Sequence, residues 1–316
     1  GMRRHSALST MTEFERIHRF FSGLDFGPST RLGIGDDAAI LDIPPAHSLV
    51  VSVDSSNENT HFTELTLPEV VAYRFFASAM SDLAAMGATP IAMTLAVSVS
   101  EQDPLWLRSF SEGVTKAVYA FGCPLVGGDT TKGPLSISVT VMGTVPQGFG
   151  LKRSGATVGD LICVSSSLGD AAAGLQLELG TLFAEEHLSN SDYLLDRWSY
   201  PQPRLALGSD LLNSATACID ISDGFLADLG HLLQQSGVGA QLNEAAIPLS
   251  DELISTVGRE QALQLALSGG EDYELCFTLP SSVAVPEGCS VVGQIIATTG
   301  IHGLTNTPMR AGFQHF

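Results

Sequence analysis

The chain has 316 residues, and 34 Asp and Glu against 15 Lys and Arg leave a formal charge of −19. That excess excludes a nucleic-acid or anionic-membrane surface, which is built from clustered Lys and Arg that displace counterions from phosphate. A hydrophobic fraction of 44% with 16% charged residues also excludes a disordered acidic chain, and the length favours two domains of roughly 150 residues.

In chain order, the opening GMRRHSALST is basic but lacks the apolar stretch of a signal peptide, and Gly1 before Met2 reads as an expression scar. Thr12 to Phe21 is predicted as a short helix with Thr12 as its cap. A Gly/Pro/Ser loop, FGPSTRLGIGDD, precedes AAILDI and the strand-like LVVSVDS. Leu67 to Gly87 reads as a helix with Pro68 in its first turn and an apolar stripe through Val70, Val71, Phe75, Ala79 and Leu83. The strand IAMTLAVSV follows, then a helix from Pro104 to Phe121, the loop CPLVGGDTTKGP and the β-branched strand LSISVTVMGTV. Helices alternating with strands make this half α/β, with α+β character, rather than a bundle.

The periodic pattern pauses in the Gly-dense segment 147–160, which divides the chain into predicted domains 1–148 and 149–316. The second half begins with the strand LICVSSS and an Ala-rich helix near Asp170, then turns polar as far as Pro203. A helix over 204–215, the strand-to-loop ACIDISDG, a helix over 225–236, strand-like GAQLNEAA and a helix over 260–267 follow. SGGEDYELCFTLP, the strand CSVVGQII and a loose tail close the chain. No window of about 18 residues is apolar and free of charge, so no membrane span is predicted. The five cysteines stand singly, which reads as core thiols of a reducing, cytoplasmic compartment rather than a zinc or disulfide framework.

The concentrated chemical signal is a set of aspartates at element junctions: GIGDD with Asp36 and Asp37, VDSS with Asp54, SDLAAMG with Asp82, GGDTT with Asp129, and DISDG with Asp220 and Asp223. One Asp beside Gly or Ser is ordinary turn and cap chemistry. Several together suit a hard divalent cation, which takes oxygen ligands and offsets polyphosphate charge. Metal-assisted phosphate chemistry, a metal-dependent hydrolase of another substrate and plain structural turns all remain open on this pattern. There is no G-x-x-x-x-G-K-[ST] loop, H-E-x-x-H zinc motif, G-x-S-x-G elbow or G-x-G-x-x-G dinucleotide fingerprint. Arg153 and Lys132 are candidate phosphate partners or solvated surface charges. His61 is a candidate donor or a packed ring, and Glu271 and Asp272 follow a Gly-Gly turn that also allows a carboxylate at a pocket edge.

Taken in order, GIGDDAAI, VSVDSSNENTHF, SDLAAMGATP, VGGDTTKGP, LKRSGATVGD, IDISDGFLADLG and SGGEDYEL resemble the thiamine-monophosphate kinase family, of the aminoimidazole ribonucleotide synthetase-like superfamily. The resemblance implies a two-domain fold with mixed sheets and an inter-domain active-site cleft, and a homodimer formed through the N-terminal domains. It implies Mg²⁺-assisted transfer of a phosphoryl group from ATP to thiamine phosphate, yielding thiamine diphosphate. Carried onto this sequence, the implied Mg²⁺ ligands are Asp37, Ser52, the Val53 backbone, Asp54, Asp82, Asp129, Asp220 and Asp223. The implied ATP contacts are Gly128, Asp129, Arg153 and Ser222; the implied thiamine-phosphate contacts are His61 and Glu271, with Phe313 as a candidate stacking ring. Asp54, Asp82, Asp129 and Asp223 carry the implied catalysis. The chain departs from the family pattern at Ser56, Asn57 and Asn59, and Arg310 stands where an aromatic residue is expected. Two alternatives stay open: a ligase-like aminoimidazole ribonucleotide synthetase, and a nucleotide- or metal-binding regulatory module without turnover.

Overall fold

The computed structural model describes residues 20–57, 66–99, 104–182 and 188–305. The predicted Thr12–Phe21 helix lies outside them except for its helical end at Phe20 and Phe21. Contacts divide the chain into one unit of Gly1–Leu83 with Ala88–Gly148 and a second of Ala84–Gly87 with Phe149–Phe316.

In the first unit, β1 (Thr30–Leu32) and β2 (Ile40–Leu41) pair antiparallel across the GIGDD loop. β3 (His47–Asn57) leads to α1 (Pro68–Ala85), β4 (Thr89–Val99), α2 (Pro104–Phe121), β5 (Leu125–Lys132) and β6 (Ser136–Pro146). These strands form one sheet in the order β3-β6-β4-β5. β6 is antiparallel to both neighbours, whereas β4 and β5 are parallel because α2 carries the chain back between them. The predicted stripe of α1 is buried at Val70, Val71, Phe75, Ala79 and Leu83. α2 buries Leu107, Phe110, Val114, Ala117 and Phe121, spaced by three or four residues. Tyr73 and Phe121 join the two helices with ring centroids 5.3 Å apart.

The segment expected as the loop CPLVGGDTTKGP instead contains β5. Two glycines and Asp depress strand propensity, but pairing with β4 overrides it. A Cβ on Gly128 would overlap the carbonyl oxygen of Leu95, so the close approach of the two strands requires glycine there.

The second unit runs β7 (Leu161–Ser165), α3 (Asp170–Glu178), α4 (Leu188–Ser199), α5 (Leu205–Asp210), β8 (Ala217–Asp220), α6 (Phe225–Ser236) and β9 (Gly239–Leu242). It continues through α7 (Asp251–Val257), α8 (Arg259–Ser268), β10 (Leu275–Leu279), β11 (Cys289–Ile296) and β12 (Gly300–His302). Its six-stranded sheet has the order β12-β9-β11-β7-β10-β8 and is antiparallel except between β12 and β9.

Alternate residues of its strands enter different cores. Ile162, Val164, Ile219 and Cys276 pack with Phe225, Leu229 and Leu232, whereas Cys163, Cys218, Leu275 and Phe277 pack with Leu151 and Leu211. Burial on both faces explains the unbroken apolar runs LICV and LCF. Three differences from the sequence reading have local causes. α4 lies in the stretch read as polar, because its Ser- and Asp-rich sequence carries only a narrow apolar seam; Leu194 and Trp198, four residues apart, are 0% and 1% exposed. α7 starts where the Ser250 hydroxyl accepts the Leu253 N–H at 3.0 Å. The tail read as loose contains β12, parallel to β9.

Candidate active site

Alternation along β3 leaves Leu49, Val51 and Val53 exposed on one face and sets Ser52 and Asp54, half-buried, on the other. Ser78 and Asp82, one turn apart on α1, meet them. The Ser52 hydroxyl donates to Asp82 Oδ2 at 3.1 Å, and the Ser78 hydroxyl donates to Asp54 Oδ2 at 2.7 Å. The structure thus unites the predicted Ser52, Asp54 and Asp82, and adds Ser78, which was not among the predicted site residues. Its signal was the four-residue spacing to Asp82 on a predicted helix.

Asp129 stands exposed on β5, with β6 and β4 between it and Asp54 in the sheet. With Gly128 it lines a small recess whose apolar walls are Phe21, Ile34, Leu95 and Leu125. Asp36 and Asp37 are exposed between β1 and β2, where Asp25 Oδ2 closes the loop by accepting the Ile34 N–H at 2.9 Å.

In the second unit β8 delivers Asp220, buried at the strand end, into the loop Ile221–Gly224. Gly224, at φ 131°, supplies the turn that starts α6. Asp228, in the first turn of α6, reaches back so that its Oδ2 accepts the N–H groups of Ser222, Asp223 and Gly224 at 2.9, 3.0 and 3.3 Å. Burial pushes the Asp228 carboxyl up to about 6, with those backbone donors pulling the other way. The loop so held presents Ser222 half-buried and Asp223 exposed. Among the described residues, one group of three carboxylate or imidazole side chains converges within 4.8 Å: Asp223, Asp228 and His231. Asp37, Asp54, Asp82 and Asp129 form no such group with one another. Asp228 and His231 escaped the sequence reading, although a carboxylate in the first turn with His three residues on marks one helix face.

Arg153 is exposed on the segment entering β7, and its backbone is anchored because its carbonyl accepts the Ser236 hydroxyl at 2.9 Å. The neighbouring Lys152 carbonyl accepts the Cys218 N–H of β8 at 2.8 Å. Glu271 follows Gly269 and Gly270, and its N–H donates to the Ser222 carbonyl at 2.8 Å, binding this segment to the DISDG loop. Its Oε2 accepts the indole N–H of Trp198 at 3.2 Å. Asp272 is buried and accepts the N–H groups of Gly169 and Ala171 at 3.0 and 3.3 Å. Burial pushes Asp272 up to about 7 against the pull of the Gly169 N–H and the nearby Arg197 guanidinium. His61, Phe313, Asn59 and Arg310 lie outside the described residues.

Residues 35–145 match the AIR synthase related protein N-terminal domain, and residues 157–303 match the AIR synthase related protein C-terminal domain. The thiamine-monophosphate kinase of Haemophilus influenzae is 40% identical over 97% of this chain and 98% of that protein. The crystal structure of thiamine-monophosphate kinase from Stenotrophomonas maltophilia is similar with a TM-score of 0.80 and 40% identity, covering 87% of this chain and 91% of that one. AaThiL complexed with AMPPCP and TMP gives a TM-score of 0.78 at 32% identity, over 90% of this chain and 92% of that one.

Proposed function

This chain belongs to the thiamine-monophosphate kinase family, within the AIR synthase related proteins, and from that premise we propose how its residues serve the reaction. The reaction is ATP-dependent phosphorylation of thiamine monophosphate to thiamine diphosphate. An oxygen of the acceptor phosphate attacks the γ-phosphorus of ATP, the bond from that phosphorus to the β–γ bridging oxygen breaks, and ADP leaves. The second pKa of a phosphate monoester is about 6, so the acceptor is already nucleophilic near neutral pH and needs no side-chain base. The protein's task is therefore positioning and the neutralisation of charge.

The observation that carries the reading is the crossed pairing of Ser52 with Asp82 and of Ser78 with Asp54. It sets two carboxylates and two hydroxyls side by side, a hard oxygen donor set that fits Mg²⁺. In the first unit Asp37, Ser52, the Val53 carbonyl, Asp54, Asp82 and Asp129 would hold such ions; in the second, Asp220 and Asp223 would. Bound there, Mg²⁺ would supply positive charge that offsets the phosphates. The nucleotide contacts of this reading are Gly128 and Asp129 in the first unit and Arg153 and Ser222 in the second. Glu271, His61 and Phe313 receive thiamine monophosphate, whose cationic ring suits a half-buried carboxylate. Leu49, Val51 and Val53, 47%, 54% and 61% exposed on the edge strand β3, support a homodimer through the first unit. Among the described residues no helix is long and apolar enough to cross a membrane; a cytoplasmic location is part of this proposal.

The test is ADP release with and without thiamine monophosphate and Mg²⁺, with mass-spectrometric detection of thiamine diphosphate. Because Asp129 is exposed, Asp129→Asn should change stability by less than about 0.5 kcal/mol. Mg²⁺-dependent turnover should fall by on the order of 100-fold, about 2.7 kcal/mol of transition-state stabilisation. Unchanged turnover at saturating Mg²⁺ would remove Asp129 from the assigned role.

A further inference from the structure

A serine or threonine inside a helix commonly returns its hydroxyl to a carbonyl of the preceding turn. Thr115 of α2, Thr256 of α7 and Ser268 of α8 do so here, donating to the carbonyls of Ser111, Glu252 and Gln264 at 2.9, 2.7 and 2.8 Å. Ser78 of α1 instead sends its hydroxyl across to β3, where it donates to Asp54 Oδ2 at 2.7 Å. A bond this short to a charged acceptor is of the stronger kind. Both ends of it stand on rigid elements. Asp54 sits in the β3–β6 ladder opposite Val139, and Ser78 lies between buried Ala77 and Ala79 on a helix that also buries Phe76, Met80 and Leu83.

The pairing also keeps the two negative charges from facing each other. Along β3 the hydroxyl comes first and the carboxylate second, Ser52 then Asp54, and along α1 the order is the same, Ser78 then Asp82. Because Ser52 meets Asp82 and Ser78 meets Asp54, each carboxylate has a hydroxyl of the other element across from it. The alternative register, carboxylate against carboxylate, would carry a Coulomb cost that solvent screens only in part at half-buried positions. We infer that Ser78 is a positioning residue, its hydroxyl fixing the Asp54 carboxylate in the orientation that takes up a divalent cation. Carboxylates that ligate a metal are commonly oriented by such a hydrogen bond from a neighbouring group. This rests on the proposed role of Asp54 as an Mg²⁺ ligand.

The test removes the hydroxyl while keeping the helix. Ser78→Ala places the best helix former between two alanines, so the fold should tolerate it. The full chain is titrated with Mg²⁺ alone, without nucleotide, by isothermal calorimetry, and the component of binding that Asp54→Asn weakens identifies the site. The expected result for Ser78→Ala is a loss of about tenfold in the affinity of that component. The thermal midpoint measured without metal should stay within about 2 °C of the parent, a split that general loosening of α1 would not produce. In an Asp54→Asn background Ser78→Ala should add nothing, because the hydroxyl acts through that carboxylate. An unchanged Mg²⁺ affinity in Ser78→Ala, a loss that multiplies with that of Asp54→Asn, or a loss accompanied by a larger fall in the midpoint overturns the positioning role while leaving Asp54 as a ligand. If Asp54→Asn leaves every component of Mg²⁺ binding unchanged, the ligand role of Asp54 fails, and the positioning role with it. If Ser78→Ala does not fold, Ser78→Cys, which keeps a similar shape with a weaker donor, decides the question by the same measurements.

Discussion

Glu274→Gln is the substitution whose cost the structure defines most directly. The Glu274 carboxylate is fully buried. Oε1 accepts the Ser165 hydroxyl at 2.8 Å and Arg204 Nε at 2.7 Å; Oε2 accepts Arg204 Nη2 at 3.0 Å and Arg197 Nη1 at 3.2 Å. Glutamine conserves the volume, removes the charge and turns an amide N–H₂ toward a guanidinium or a hydroxyl. Arg204 then loses its bidentate partner, and Arg197 keeps only Asp170, at 3.3 Å, of its two carboxylate salt bridges. Removing one partner of a buried ionic group typically costs about 3–5 kcal/mol, because the stranded charges stay desolvated. For a unit of 150–250 residues each kcal/mol lowers the midpoint by about 2–4 °C, so the second unit's transition should fall by roughly 6–20 °C. Differential scanning calorimetry, with the transition assigned from a parallel Trp fluorescence melt, reads this directly. A fall of less than about 2 °C would refute the argument, since it would mean that water or rearrangement already screens the cluster.

Two further expectations concern protonation. Asp272 titrates near 7 in the folded protein and near 3.9 unfolded, so between those values the native state binds the extra proton and this group's contribution to stability falls as pH rises; Asp272→Asn should flatten the stability profile across that window in denaturant titrations, and an unchanged slope would sink the assignment. Burial pushes Cys123 and Cys163 up to about 12, and Cys218, Cys276 and Cys289 upward as well, but Cys289 is half-buried where the other four are buried. A thiol reagent near pH 7 should therefore modify Cys289 first and the other four only on unfolding; rapid labelling of several cysteines in the native protein would contradict this.

The order of elements was largely legible because burial imposes periodicity. α1 and α2 could be read from apolar residues at three- and four-residue spacing, and β6 from its β-branched alternation. α4 was not legible, because among its described residues only Leu194 and Trp198 are buried, with Tyr193 half-buried against the Leu194 core, and the rest of its sequence is mostly polar. β5 was hidden for the opposite reason. Its glycines serve a close approach to Leu95, a requirement set by a strand some thirty residues earlier in the sequence.

The site divides along the same line. The sequence by itself determined which residue types were available: a surplus of aspartates at element ends, two glycines before Glu271, and an ordered set of motifs shared with one family. Only the tertiary structure decided which of them act together. Ser78 became the partner of Asp54, Asp228 the organiser of the DISDG loop, and Trp198 the donor to Glu271, across separations of 24, 5 and 73 residues. Local sequence governs backbone geometry and charge, but a hydrogen bond between distant segments exists only once burial has brought them within about 3 Å and removed the water that would otherwise take the partner's place.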